Sequence, residues 1–423
     1  RGDYRINDKN NLFVRWFTAP YDDLPVDFTG QARFSAAGFK RNNGWLASHV
    51  YSLNPNTVFS FQGGLANNKT GNLGTAAEDP TIAGLPGYLK ETAGDRLHLF
   101  GVTFGGTNAV PGFETGPDSY TTYSAYSGSA QVSHTRASHT LRAGYEYHLW
   151  RYYDNRPGRP AGGVDFNGSF MRPANGSNQG SNTSYAQFLL GLPSGGSIDV
   201  NPAIYDYRDR GHFLYFQDDW RVNRRLTVNF GMRYEVLLPI SVVDNLNTQG
   251  FNPTARTPIS DQAEAAYAAA YAAGSYPGML TPDQFKVRGV VTWLGVNGAP
   301  TTMFNADKNN FSPRVGFAYQ LNSRFVLRGG FGSFFENAIG TQSSENFPRY
   351  WNQSTAITAT PDGVTFKSTL ADPFPVQANG QRFITAAGNS LGSSAVLGNG
   401  YSYFSMNNKV APVSHRLHME LQA

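Results

Sequence analysis

The chain has 423 residues, no cysteine, a net charge of +4, and 15% charged against 14% aromatic side chains. The missing thiols exclude a disulfide framework and thiolate metal sites, the sparse and scattered charge offers no basic stripe to a nucleic acid, and no apolar run approaches the ~20 residues of a membrane-spanning helix. A mean hydropathy of −0.40 still suits strands that show lipid one face and water the other, because a lumen and loops keep the average polar.

Tyr4-Arg5-Ile6 runs into a first short turn, Asn7-Asp8-Lys9-Asn10. A second, Asn54-Pro55-Asn56, precedes Thr57 to Leu65, where Phe59, Phe61 and Leu65 oppose Ser60 and Gln62 around Gly63 and Gly64. After a connection from Asn67 to Ser119, Tyr126, Gly128, Ala130 and Val132 oppose Ser127, Ser129 and Gln131. The turn Thr135-Arg136-Ala137-Ser138 then leads into Thr140 to Tyr153. There Leu141, Ala143, Tyr145, Tyr147 and Leu149 share one face, and Arg142, Gly144, Glu146 and His148 the other. The connection Asp154 to Arg210 holds a short helix, Ser184 to Leu190, closed by Gly191 and Pro193, whose Phe188, Leu189 and Leu190 call for burial.

Phe216 to Glu235 is the clearest segment. Beyond its turn, Asn223-Arg224-Arg225, the residues Leu226, Val228, Phe230, Met232, Tyr234 and Val236 alternate with Thr227, Asn229, Gly231, Arg233 and Glu235. Pro239 to Asn310 is predicted to contain an alanine-rich helix to Ala273, capped by Asp261 with Glu264 completing a capping box and Gly274 ending it. A further helix is predicted to start at Thr281-Pro282. Phe311, Val315, Phe317, Tyr319 and Leu321 then oppose Ser312, Arg314, Gly316 and Gln320. The turn Asn322-Ser323-Arg324 leads to a glycine-interrupted strand, Phe325 to Phe335. After the connection Asn337 to Lys409, one last strand runs from Val413 to Gln422.

A period of two means a strand with different surroundings on its two sides. Short turns of Asn, Asp, Pro and Ser join the strands into hairpins, and long Gly/Pro/Asn/Ser-rich connections link one hairpin to the next. All short turns therefore lie on one side and all long loops on the other, which is the layout of an outer-membrane barrel with periplasmic turns and external loops. The expectation is an all-β fold: an antiparallel transmembrane β-barrel segment of about eleven spanning strands, with long external loops and a few short helices. Because such barrels have an even strand number, residues 1–423 are expected to be part of a larger barrel domain whose later strands are absent.

Five stretches carry a family resemblance: DYRINDKNNLFVRW from Asp3 to Trp16, HTLRAGYEYH from His139 to His148, FLLGLPS from Phe188 to Ser194, QDDWRV and LTVNFGMRYE within Phe216 to Glu235, and NFSPRVGFAYQLNSRFVLRGGFGSFFE from Asn310 to Glu336. Together these resemble the TonB-dependent outer-membrane receptors, specifically the Oar-like group. The resemblance implies a barrel of about 22 strands around an internal plug, taking up a ligand with energy passed on through TonB. It also implies an N-terminal carboxypeptidase-regulatory-like domain. Neither that domain, the plug nor a TonB box is recognisable in this sequence, so the isolated chain is expected not to transport.

The implied partners are outer-membrane lipid, the TonB complex through the plug region, and a siderophore, oligosaccharide or peptide ligand. No enzyme activity, cofactor, metal or nucleic acid is expected. Arg142, Glu146, Arg233, Glu235 and Arg314 are expected to face the lumen, since charges facing lipid cost several kcal/mol near the midplane. There they pair across strands or touch a plug or ligand. Asp218 and Asp219 must point to opposite faces and are expected at the periplasmic interface, where a carboxylate can reach water and Trp220 anchors the strand. In the loops, Tyr350, Trp351, Tyr401 and Tyr403 are candidates for ligand contact or for loop packing.

Gly388-Asn389-Ser390-Leu391-Gly392 matches the nucleophile-elbow spacing without the strand and helix that chemistry needs. His415 and His418 fall on opposite faces of a strand, and His134 with His139 makes too small a set for a metal. The competing readings are a passive porin-like or structural outer-membrane barrel, and a soluble extracellular glycan-binding β-protein.

Overall fold

The structure is a computed structural model that describes residues 1–23, 37–74, 78–106, 112–113, 116–171, 181–200, 202–303, 305–335, 351, 353–360, 364–394, 397 and 411–422. In chain order its strands are β1 (Gly2–Asn7), β2 (Asn10–Asp22), β3 (Ala37–Asn54), β4 (Thr57–Leu73), β5 (Gly101–Phe104), β6 (Ser119–Arg136), β7 (His139–Asn155), β8 (Gly163–Phe166) and β9 (Gly195–Asp199). There follow β10 (Tyr205–Arg221), β11 (Leu226–Val242), β12 (Thr248–Arg256), β13 (Arg288–Trp293), β14 (Asp307–Gln320), β15 (Val326–Phe335), β16 (Ser354–Thr358) and β17 (Val413–Gln422). The α-helices are α1 (Gly87–Ala93), α2 (Ser181–Leu189) and α3 (Ser260–Ala272).

Eleven strands form one antiparallel wall in the order β1-β2-β3-β4-β6-β7-β10-β11-β14-β15-β17. The sheet is open between β1 and β17. Four of the five short turns use an asparagine as an internal staple. Asn7 Oδ1 accepts from Lys9 N, Asn54 Oδ1 from Asn56 N, Asn223 Oδ1 from Arg225 N and Leu226 N, and Asn322 Oδ1 from Arg324 N and Phe325 N. Such Asx turns replace backbone contacts the tight reversal cannot make. The fifth turn instead places Ala137 at φ 51°.

The two faces of the wall invert the pattern of a water-soluble sheet. Phe216 and Met232 face each other across β10 and β11 and stay 45% and 44% exposed, whereas Ser312 and Asn310 on the opposite face are 0% and 1% exposed. Apolar groups outside and polar groups inside suit a sheet whose outer solvent is hydrocarbon.

The wall strands are taller than the alternation predicts. β4 continues through Asn67, Asn68, Lys69 and Thr70 to Leu73, β10 begins at Tyr205, and β11 passes through Pro239 to Val242. Above the bilayer, water lies on both faces, so the ladder persists without alternating hydrophobicity. Pro239 is accommodated where the β10–β11 register shifts between Arg208 and Arg210.

Helix expectations are partly corrected. α2 starts at Ser181, and its Leu189 and Leu190 are exposed rather than buried. α3 starts at Ser260 with no side-chain cap from its N-cap residue Ile259. Asp261 instead pairs with Arg256 at 2.5 Å, and Glu264 accepts from Val287 N at 2.9 Å. That N–H, with Arg256 and Lys286, holds the Glu264 carboxyl below the usual carboxylate range. Thr281-Pro282 begins a single turn, closed by Gln284 N and Phe285 N on Thr281 O, and not a helix.

The face assignment is tested by placing arginine on either side of the wall at similar height. Phe216→Arg is expected to cost about 2–4 kcal/mol in urea unfolding from vesicles, and Ser129→Arg, facing inward beside Glu146, less than about 1 kcal/mol. Equal costs would overturn the assignment.

Candidate functional site

The inner face of β7, β10, β11 and β14 carries a connected charged lattice. Arg233 on β11 donates to Glu146 on β7 at 3.0 Å and to Glu235 on its own strand at 2.9 Å. Its guanidinium also lies 4.6 Å from the centre of the Phe213 ring. Arg142 reaches Asp219 at 2.8 Å, and Gln217 and Asn229 donate to the same carboxylate. Arg314 lies 4.7 Å from the centre of the Phe334 ring. The five charges predicted to line a lumen thus share one face, and most are tied by charge-assisted bonds across strands.

Gly144 leaves room inside this lattice. A Cβ there would stand 2.6 Å from the Tyr215 ring, which lies across the glycine so that its hydroxyl donates to Gln131 on β6. A shallow cavity of ≈ 390 Å³ opens beside Glu146, Tyr215, Gln217, Asn229, Arg233 and Arg314. Its polar lining side chains come from four strands, β7, β10, β11 and β14.

Asp218 and Asp219 point to opposite faces, as adjacent strand residues must. Asp219 joins the inner lattice. Asp218, paired with Leu141 and Phe230 on the outer face, is buried to 4% exposure and does not reach water as expected. His139 Nδ1 lies 2.7 Å from its Oδ2, and the imidazole stacks on Trp220 with ring centres 5.4 Å apart. Trp220 therefore covers a carboxylate–imidazole pair near the short-turn end of β10.

At the long-loop end, three loops that are far apart in sequence build a separate cap. β5, β8, β9 and β16 form a four-stranded sheet in the order β16-β9-β8-β5. Its core is Leu89, Phe100, Val102, Val164, Phe166, Ile198 and Phe374. Tyr88 ties the loops together: its hydroxyl donates to Asp372 at 2.9 Å and accepts from Phe374 N at 3.0 Å. Burial pushes that hydroxyl's pKa up and keeps it neutral. Gln187 on α2 accepts from Gly168 N and donates to Leu192 O and Ser194 Oγ, fixing the Phe188 to Ser194 segment. Phe188 packs against the core, beside a mostly apolar cavity of ≈ 500 Å³ that Ile82, Leu99, Phe113 and Leu370 also line.

A second loop layer closes on the inner side. Leu294 and Met303 pack against the inward-facing Tyr205 and Tyr207 together with Ile240 and Val242. Trp351 meets Trp293 edge-on at 5.5 Å, and Trp293 Nε1 donates to Gly392 O, so Trp351 joins one loop to another. Tyr350, Tyr401 and Tyr403 lie outside the described residues.

Ser390 donates to Ala387 O within a turn and has no strand–turn–helix around it. His134 turns to Thr57, His139 to Asp218, and His415 to Ser333. Among the described residues, no three His, Asp or Glu side chains are grouped to hold a metal. The cap was the feature sequence reasoning missed; its strands are four or five residues long and too short to show a period.

Phe374→Ala is expected to destabilise the cap by about 3–5 kcal/mol, exposing its loops to limited proteolysis while the wall stays protease-resistant. In the lattice, a double-mutant cycle of Arg233→Gln and Glu146→Gln is expected to show a coupling of about 0.5–3 kcal/mol in unfolding; additive effects would show that the pair is not coupled.

The family model described as outer membrane beta barrel domain matches residues 1–423. Comparison with curated proteins finds no match. Among solved structures, the FrpB iron transporter from Neisseria meningitidis aligns at 9% identity and a TM-score of 0.35, over 78% of this chain and 36% of that one. P. aeruginosa FpvA, bound to a heterologous pyoverdine, aligns at 12% identity and a TM-score of 0.38, over 79% and 34%. The ferric-catecholate import receptor Fiu from E. coli aligns at 11% identity and a TM-score of 0.39, over 85% and 48%. The chain thus spans about a third to a half of the length of these proteins.

Proposed function

The chain belongs to the outer-membrane β-barrel domain family and lies in the bacterial outer membrane, and we propose that it supplies wall and external cap to a TonB-dependent receptor of the Oar-like group. One observation carries the reading: the build is one-sided. Five tight turns stand at one end, and at the other the loops fold into a cap with a hydrophobic core of its own. Structured loops at one mouth of a barrel are the part that meets a ligand first. The resemblance of the Phe188 to Ser194, Phe216 to Glu235 and Asn310 to Glu336 segments to that receptor group supports the same assignment.

In this reading the short turns face the periplasm. A siderophore, oligosaccharide or peptide is captured by the external loops. It then passes along the polar inner face, where the Arg233 and Asp219 networks offer donors and acceptors. A plug outside this chain gates the passage and takes its energy from TonB. The chain itself forms and breaks no covalent bonds in the process.

The test is accumulation of labelled ferric siderophores, oligosaccharides and peptides by cells carrying the full-length protein, with and without functional TonB. TonB-dependent accumulation of at least one class is the expected result. Accumulation that persists without TonB would mark a passive pore instead, and no accumulation from any class would refute transport.

A further inference from the structure

Above its apolar band, the outer face of the wall carries a belt of cations that neither the inner lattice nor the cap uses. Arg41 on β3 is directly opposite Lys69 on β4, and Arg151 on β7 is directly opposite Arg208 on β10. These positions share the face of Trp45, Leu65, Leu149 and Leu214, the face turned to lipid lower down. They stand 12 or 13 residues from the short-turn ends of their strands, at Asn54, Thr57, His139 and Arg221. At about 3.3 Å per residue and a tilt of about 40°, that is roughly 30 Å along the membrane normal, just above an apolar band of about 25 Å. Four cations on four strands therefore meet at one level, where outer-leaflet headgroups begin.

The local chemistry is unfavourable for the protein alone. Like charges directly opposite on neighbouring strands destabilise a sheet, and the belt has two such pairs. Each has one carboxylate beside it. Asp22 binds Arg41 at 2.5 Å, and Asp206 binds both Arg151 at 2.7 Å and Arg208 at 3.0 Å. Both pairs thus keep an excess of positive charge. The cations are also held in place: Lys69 lies 3.6 Å from the centre of the Tyr120 ring, Arg41 5.4 Å from that of Phe39, and Arg151 5.4 Å from that of Tyr153. Pre-positioned guanidinium groups match phosphate oxygens in fork geometry, and basic residues at a membrane surface are attracted to anionic headgroups.

We propose that this belt binds phosphate-bearing headgroups of the lipids in the surrounding outer leaflet, as a ring of annular contacts on one side of the barrel. The proposal rests on the membrane placement and orientation of the preceding section. It does not depend on TonB or on any transported ligand, so failure of uptake leaves it standing.

The experiment measures lipid phosphorus retained by the full-length protein after purification from outer membranes in a nonionic detergent. Wild type is compared with the fourfold variant Arg41→Gln, Lys69→Gln, Arg151→Gln and Arg208→Gln. The wild type is expected to retain at least about twice the phosphorus of the variant, with the difference lost at high salt. A threefold Arg41→Lys, Arg151→Lys and Arg208→Lys variant keeps the charge but not the fork, and is expected to retain more phosphorus than the fourfold variant and less than wild type. Heat-modifiable mobility on gels reports whether the wall has formed. If the fourfold variant does not form a wall, Lys69→Gln and Arg151→Gln are measured singly, and each should lose part of the retained phosphorus.

Equal retention by folded wild type and glutamine variants overturns the proposal. So does complete displacement of the lipid by inorganic phosphate at matched concentration, which would assign the belt to free anions.

Discussion

Every backbone N–H and C=O that crosses the bilayer must be satisfied by a neighbouring strand, because hydrocarbon offers no partner. The rest of the structure follows from keeping that ladder intact. The register shifts in the wall fall at the turns, between Arg5 and Asn7 and between Ser52 and Asn54, or high on the strands, between Arg208 and Arg210 and between Glu235 and Leu237. The stretch between them pairs residue for residue. An unbroken register fixes the pleat, and the pleat sends Phe216 and Phe230 out and Gln217 and Gly231 in. A slip of one residue would put Arg233 and Glu146 into lipid and Met232 and Tyr145 into the lumen.

Once sorted, the inner face has to balance its own charge. Arg233 lies between Glu146 and Glu235, and Asp219 between Arg142 and two amide donors, so each of these charges meets a complementary group. Pairs this exposed to water contribute little each. Their effect is to hold several long side chains in fixed positions on the inner face. Asp218 shows the opposite situation. On the outer face it cannot join such a network, and it is sheltered under the His139–Trp220 stack close to the turn, where a buried carboxylate still has a donor.

What could be read in the sequence follows from which constraints are local. The wall was legible because lipid on one side and water on the other print a period of two over Leu226 to Val236 and its counterparts. The turns were legible because asparagine at the first position has a mechanism. The cap was not. GVTF, GVDF, GGSID and STAIT are short and mostly small or β-branched, and their partners lie up to some 160 residues away, as in Ser354 opposite Asp199. The capping box at Asp261 and Glu264 was misread because Arg256, five and eight residues earlier, takes both carboxylates into ion pairs. Trp351 was legible as a loop aromatic, but its partner Trp293 was not, because nothing local joins them.

The height of the strands connects these observations. About 9–11 tilted residues cross a bilayer, yet β3, β4, β6, β7, β10 and β11 each run 17 or 18. The surplus lies in the segments that lose their alternation, Asn67 to Leu73 and Tyr205 to Arg210 among them, which read as loop in the sequence because water on both sides removes the periodic signal. Structurally these segments are a collar of continued strand ladder. Its inner surface anchors Leu294 and Met303 through Tyr205 and Tyr207, which sets where the loops begin. Its outer surface carries Arg41, Lys69, Arg151 and Arg208, one per strand, brought to a common level only by register. A wall that stopped at the membrane surface would leave the cap tethered by flexible chain. By extending the ladder beyond the lipid, the fold carries the precision of the hydrogen-bonded sheet up to the level where the loops of the cap begin.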